Sequence, residues 1–307
     1  MSGRQSRAGR GSPWVPVAGL VALVVIVGAL VVFAVTEVGK VPVTDRTVAP
    51  VPSFGSGPQP SVSPSAGASA SPSGSPDPAA SSEQRLLAIG GATWWRATRG
   101  KCGGTTPTLE RSTDRGASWA DVTPSYRNVT EVLALVPFAG DQAEIIATIG
   151  TDCTVQGLRT FTEGRFWEPN AQTLGSLAYV DRSSAITTAG DTVAAPCATP
   201  LVADAAAGAL AVLCADGVYA RSAASTAFTR LPGTAPVALS VSSTGIAIAR
   251  TTPSCTGVTL ERFTFTALGT PAASICRSDL ATSGAIAIAD TADSVATWTD
   301  RVQVIDW

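Results

Sequence analysis

Apolar and polar positions divide the chain into three textures. From Glu83 to Trp307, short runs rich in Val, Ile, Leu, Thr and Ala alternate with clusters of Gly, Asp, Ser and Pro. Glu131–Pro137, Glu144–Ile149, Ala209–Leu213, Pro236–Val241, Gly245–Ala249 and Ala285–Ala289 are such runs. None continues into a long segment of 3.6-residue period, so the pattern predicts many short strands joined by turns: an all-β sandwich, barrel or propeller.

The N-terminal third reads differently. Val15–Val35 carries no charge and, at 1.5 Å per residue, spans about 30 Å, the hydrocarbon thickness of a bilayer. Residues 1–13 before it hold Arg4, Arg7 and Arg10 and no acid, which predicts a cytoplasmic N-terminus. The run exceeds the apolar region of a cleaved signal peptide, and no small-residue cleavage site follows it. Residues 14–38 are therefore expected to be an uncleaved signal anchor in the lipid bilayer. Residues 41–82 are Pro, Ser, Ala, Gly and Val, too poor in large apolar groups to build a core. They predict a disordered stalk, with a reach on the order of 35 Å as a coil and about 130 Å as polyproline. The expected organisation is a cytoplasmic tail over 1–13, an anchor helix over 14–38, a stalk over 41–82 and an extracytoplasmic head over 83–307.

Repetition within the head selects among the all-β folds. Thr108-Leu109-Glu110-Arg111 recurs as Thr259-Leu260-Glu261-Arg262, each a few residues after a cysteine, Cys102 or Cys255. Weaker copies follow Cys153 and Cys214. A period of roughly 40–50 residues with about four strands per unit is that of a propeller blade. The count is five blades, or six if Gln172–Thr199 forms a degenerate one. Ala285–Trp307 closes the series with a strand at Ala296-Thr297-Trp298. A β-sandwich is the alternative.

Ser112–Trp119 reads S-x-D-x-G-x-S-W between two strand-like runs. Asp and Ser side chains in such a stretch bond nearby backbone N–H groups and hold a tight bend. Gly116 accepts a positive φ, and Trp119 buries a large ring at the start of the next strand. These residues resemble the Asp box (BNR repeat) of sialidase-like β-propellers, and Thr162–Trp167 resembles a decayed copy. The chain is thus similar to the membrane-anchored Asp-box propellers of actinobacterial envelopes. The resemblance implies a structural role for Ser112, Asp114, Gly116 and Trp119 on the outer rim, away from a central pocket.

Cys102, Cys153, Cys197, Cys214, Cys255 and Cys276 all lie in the head. An even count outside the membrane predicts disulfides, and six cysteines allow 15 pairings. We expect Cys102–Cys153 to join equivalent loops of adjacent blades, with Cys197–Cys214 and Cys255–Cys276 as more local staples.

The chemistry is bounded mostly by residue type. The chain has no histidine, which removes the commonest general base and a common metal ligand. Asp290, Asp293 and Asp300 are too sparse for a calcium loop, so neither metal nor other cofactor is expected. A net charge of −2 gives no basic surface for nucleic acid. Sialidase chemistry, implied by the resemblance, needs an arginine triad and an activated tyrosine. The family's Phe-Arg motif before the first box has no match, and the tyrosines are Tyr126, Tyr179 and Tyr219 alone. No catalytic residue is assigned. Trp94, Trp95, Arg96 and Arg99 form a candidate ligand patch, since alternation along a strand leaves one of two adjacent tryptophans facing outward unless both faces are covered. The expected function is a non-enzymatic head that binds an envelope protein or glycan. A sialidase-type glycoside hydrolase and an assembly factor for an envelope complex are the alternatives.

Overall fold

The structure is a computed structural model that describes residues 84–280, 285–291 and 293–307. The expected tail, anchor and stalk lie outside the described residues; within them no helix is long and apolar enough to cross a membrane.

Among the described residues, twenty-two strands form six antiparallel sheets in chain order. The first holds β1 (Arg85–Gly90), β2 (Thr93–Thr98), β3 (Thr108–Ser112) and β4 (Ala120–Asp121). The second holds β5 (Val129–Ala139), β6 (Gln142–Ile149), β7 (Thr154–Thr160) and β8 (Glu168–Pro169). After a short helix α1 (Ala171–Ser176), the third sheet has only β9 (Tyr179–Val180), β10 (Ile186–Thr188) and β11 (Asp191–Val193). The fourth comprises β12 (Pro200–Ala206), β13 (Ala209–Cys214), β14 (Gly217–Arg221) and β15 (Thr229–Arg230). The fifth comprises β16 (Pro236–Val241), β17 (Ile246–Thr252), β18 (Cys255–Phe263) and β19 (Ala273–Arg277). The last has β20 (Ala287–Asp290), β21 (Ser294–Trp298) and β22 (Val302–Asp306). Each sheet is a blade, and the first strands β1, β5, β9, β12, β16 and β20 neighbour one another around a closed ring. The fold is a six-bladed β-propeller; the degenerate blade within 172–199 is real and has three strands.

Burial follows from that arrangement. Both faces of a blade are covered by neighbouring blades, so a second strand can be apolar from end to end, as β13 (ALAVLC) is, with every residue buried. The fourth strands β4, β8 and β15 are two exposed residues each. Such short, polar outer edges, one with Pro169, offer little template for pairing with another chain. The core is six separate apolar wedges, one at each junction between blades. Trp95 fills the wedge between blades 1 and 2, edge-on to Trp167 at 6.1 Å. Trp94, its neighbour on the other face of β2, fills the wedge between blades 1 and 6 beside Trp298.

Among the described residues every blade is a single continuous segment, and no strand is exchanged to close the ring. Side chains do this at the seam between blades 6 and 1. The Arg96 guanidinium lies 4.2 Å from the Trp119 ring and 4.7 Å from the Trp298 ring. Arg85 sits 4.9 Å over the other part of the stack at Trp298 and donates to the Thr299 carbonyl.

The cysteines form three disulfides, Cys102–Cys153, Cys197–Cys214 and Cys255–Cys276, with Cα separations of 5.9, 6.4 and 5.6 Å. Strand directions place all three at the end of the ring where the inner strands begin. Alkylation of the unreduced protein should add no mass at cysteine, with six adducts after reduction. Adducts on the unreduced protein, read by intact mass, would contradict these pairings.

Candidate functional site

The inner strands enclose an axial cavity of about 750 Å³. Its walls are aliphatic, with Leu87, Leu135, Leu201, Val237, Leu239 and Ile288 among the lining side chains. Val237 is 39% exposed, which is large for an aliphatic residue on an inner strand. The cavity lies toward the disulfide end, since it is lined by the residues that open β1, β12, β16 and β20. Within the sheets each inner strand pairs on one side only, and its other edge faces the axis, bridged at Glu131 by Gly100 and elsewhere bonded only in part. Unpaired N–H and C=O groups on such edges need water or a ligand.

Two ionisable side chains line this cavity among the described residues: Arg85, held at the seam, and Asp204 on β12. Arg99 stands at the same end, where its guanidinium bonds Glu131 at 2.8 Å, Gln84 at 2.5 Å and the Leu201 carbonyl at 3.1 Å. It ties blades 1, 2 and 4 together across the mouth. The Asp204 carboxylate accepts from the N–H of Ala205 at 2.8 Å and of Val241 in the next blade at 2.7 Å. Burial outweighs both bonds and raises its pKa to about 6.

The candidate ligand patch is corrected by this packing. Trp94 and Trp95 are 5% and 0% exposed, because β2 has a neighbouring blade on each face. Arg96 is spent on Glu110 at 2.7 Å and on the seam tryptophans. Of the four residues, only Arg99 stands beside the cavity.

Ser112, Asp114, Gly116 and Trp119 sit at the opposite end, in the β3–β4 turn. Ser112 Oγ accepts from Gly116 N at 2.7 Å and Asp114 N at 3.3 Å. Asp114 accepts from Ser118 N at 2.8 Å and Ser118 Oγ at 2.5 Å. These donors, the Ser118 hydroxyl first, lower the Asp114 pKa to about 2. Trp119 Nε1 donates to the Gly116 carbonyl. Arg115 and Gly116 take φ of 58° and 87°. The β7–β8 turn repeats the pattern from Thr160, two residues before the sequence suggests. Thr160 Oγ1 accepts from Gly164 N at 2.9 Å, and Thr162 Oγ1 from Phe166 N at 2.8 Å. Glu163 and Gly164 have φ of 61° and 85°. Arg111 bonds Glu163 at 2.8 Å and so joins the two turns. This is turn chemistry, remote from the cavity. Thr160→Val should cost about 1–2 kcal/mol in urea unfolding, because the buried Gly164 N–H and the part-buried Thr162 N–H lose their acceptor; an unchanged midpoint would show that the hydroxyl contributes nothing.

The tyrosines stand apart from the cavity and from one another. Tyr126 bonds the Trp167 backbone, Tyr179 is buried in blade 3, and Tyr219 bonds Asp216 on blade 4. Sequence reasoning missed Asp204. The available signal was the match of Pro200-x-x-x-Asp204 to Pro236-x-x-x-Ser240, two inner strands that begin alike.

The chain is a six-bladed β-propeller with an aliphatic axial cavity. No known protein family matches its sequence, and no curated protein does. Among solved structures, YCF48 from Cyanidioschyzon merolae superposes with a TM-score of 0.41 at 12% identity, covering 74% of this chain and 84% of that one. The SapL1 lectin, solved with alpha methyl fucoside, gives 0.43 at 11% identity over 73% and 95% of the two chains. The Hadza microbial sialidase Hz136 gives 0.36 at 11% identity, over 72% of this chain and 52% of that one.

Proposed function

We propose that this protein is a membrane-anchored, extracytoplasmic binding module that receives part of an envelope protein in its axial cavity and performs no chemistry on it. The observation that carries this reading is the cavity wall. Its aliphatic side chains suit the apolar side chains of a protein segment, and the free strand edges suit its backbone. Hydrolysis of a glycoside by the usual route needs two carboxyl groups facing one bond, and Asp204 is the one carboxylate among the described lining residues. Three disulfides suit an oxidising compartment. The charge-free run Val15–Val35 behind three arginines supplies the anchor.

The test compares full-length protein with Val237→Trp, which puts a bulky ring on the cavity wall and narrows it, in pull-downs from detergent-solubilised envelope. One saturable partner retained by the unmutated protein and lost by Val237→Trp is the expected result. Equal retention by both would move the binding surface elsewhere. Turnover of a fluorogenic sialoside by the full-length protein would overturn the non-enzymatic reading.

A further inference from the structure

The charge of Asp204 is not explained by its structural bond. β12 and β16 begin alike: each starts on a proline, Pro200 or Pro236, and each shifts register immediately after it. Four residues on, Asp204 accepts from Val241 N in the next blade at 2.7 Å. Ser240, at the matching position of β16, accepts from Asp290 N in its next blade at 3.0 Å. A neutral hydroxyl thus performs the inter-blade bond at one junction, and a carboxylate performs it at the neighbouring junction. The carboxylate is the costlier choice, since burial opposes its charge. It takes part in none of the ion pairs among the described residues. Arg85 and Arg99, the cations that border the cavity, are engaged elsewhere, Arg85 on Trp298 and Thr299 and Arg99 on Glu131. Asp204 is half-buried and lines the cavity. Each carboxylate oxygen carries one N–H bond and has a further lone pair for another donor.

We infer that the axial cavity selects an apolar peptide segment carrying one basic side chain, whose cationic nitrogen pairs with Asp204 while its apolar neighbours fill the aliphatic walls. This rests on the cavity being the binding site. The free edges of the inner strands favour a peptide over a simple alkyl amine, because they offer partners for a backbone. A charge-assisted bond made away from bulk water is stronger than its exposed counterpart. It also relieves a buried charge that is otherwise unpaired.

Three capped peptides test this on full-length protein in nanodiscs by calorimetry: acetyl-Leu-Lys-Leu-amide, the same peptide with norleucine at the centre, and the same with glutamate. Norleucine keeps the lysine stem without the ammonium. The lysine peptide should bind at least tenfold more tightly than the norleucine peptide, and the glutamate peptide most weakly. Asp204→Ser, which copies the bond made by Ser240, should erase the lysine preference and keep the norleucine affinity. Ser240→Asp should increase the preference. Equal lysine and norleucine affinities in the unmutated protein would overturn the inference and leave the cavity reading standing. So would a preference that survives Asp204→Ser. Binding of no peptide, or binding that Val237→Trp leaves intact, would overturn both. The comparison of peptides on the unmutated protein stands whether or not a variant folds.

Discussion

Trp298→Ala should lower the unfolding free energy by about 3–5 kcal/mol, the range for emptying a buried aromatic site. Trp298 is 6% exposed and packs with Leu87, Trp94, Ala287 and Ala289 at the seam between blades 6 and 1. Its neighbours cannot easily collapse into the gap, because each is fixed in a strand of one blade or the other. Arg96 and Arg85 lose the ring they stack on, at about 0.5–1 kcal/mol for each contact. No shared strand compensates, since blade 1 comes entirely from one end of the head and blade 6 from the other. Trp298→Phe keeps most of the buried area and should lose much less. Urea unfolding gives the size of the effect, and hydrogen exchange gives its place. Amides of β20–β22 and of β1 should lose protection before those of β12–β19. A loss below about 1 kcal/mol, or protection lost evenly around the ring, would show that the seam is not the weak joint.

Asp204 should make stability fall as pH rises. Its pKa is about 6 in the folded protein against the ordinary 3.8, because burial disfavours the carboxylate. A raised folded-state pKa means that the folded protein holds this proton more tightly than the unfolded chain does. The resulting stabilisation is complete below pH 3.8 and is lost as pH rises through 6. At about 1.4 kcal/mol per unit, the swing is on the order of 2–3 kcal/mol. Asp114, Asp121, Glu163 and Asp279 have lowered pKa values from hydrogen bonds to neighbouring groups and act in the opposite direction. The difference between unmutated protein and Asp204→Ser cancels them. Relative to that variant, the unmutated protein should lose about 2–3 kcal/mol between pH 3.5 and pH 7 in urea titrations. A difference that stays flat over this window would mean that the carboxylate remains well hydrated by the cavity.

Much of this architecture is visible in the chain itself. Pro236–Val241 is a strand with the same bounds in both readings, and the weak stretch after Gln172 is weak because blade 3 is only β9–β11. The turn at Ser112 is legible because its bonds are local: the groups that meet are two to four residues apart. Thr160 hides because a hydroxyl can replace Ser112 and Thr162 can replace Asp114 without the consensus letters. Trp94-Trp95 misleads for a reason built into propellers. Alternation along a strand separates inside from outside only when one face meets water, and β2 has a blade against each face. Asp204 is invisible for the converse reason. Its importance depends on the axis, where six distant segments converge, and no local pattern reports that.

A ring closed by side chains has a consequence for how the chain is made. Each sheet contains only residues that are contiguous in sequence, so each can complete its hydrogen bonding as soon as its own segment leaves the ribosome. Such local pairing carries a small loop-closure penalty. Only the seam must wait for the whole protein, because Trp94 emerges near the beginning of the head and Trp298 near its end. Ring closure then becomes a single late docking event between finished surfaces.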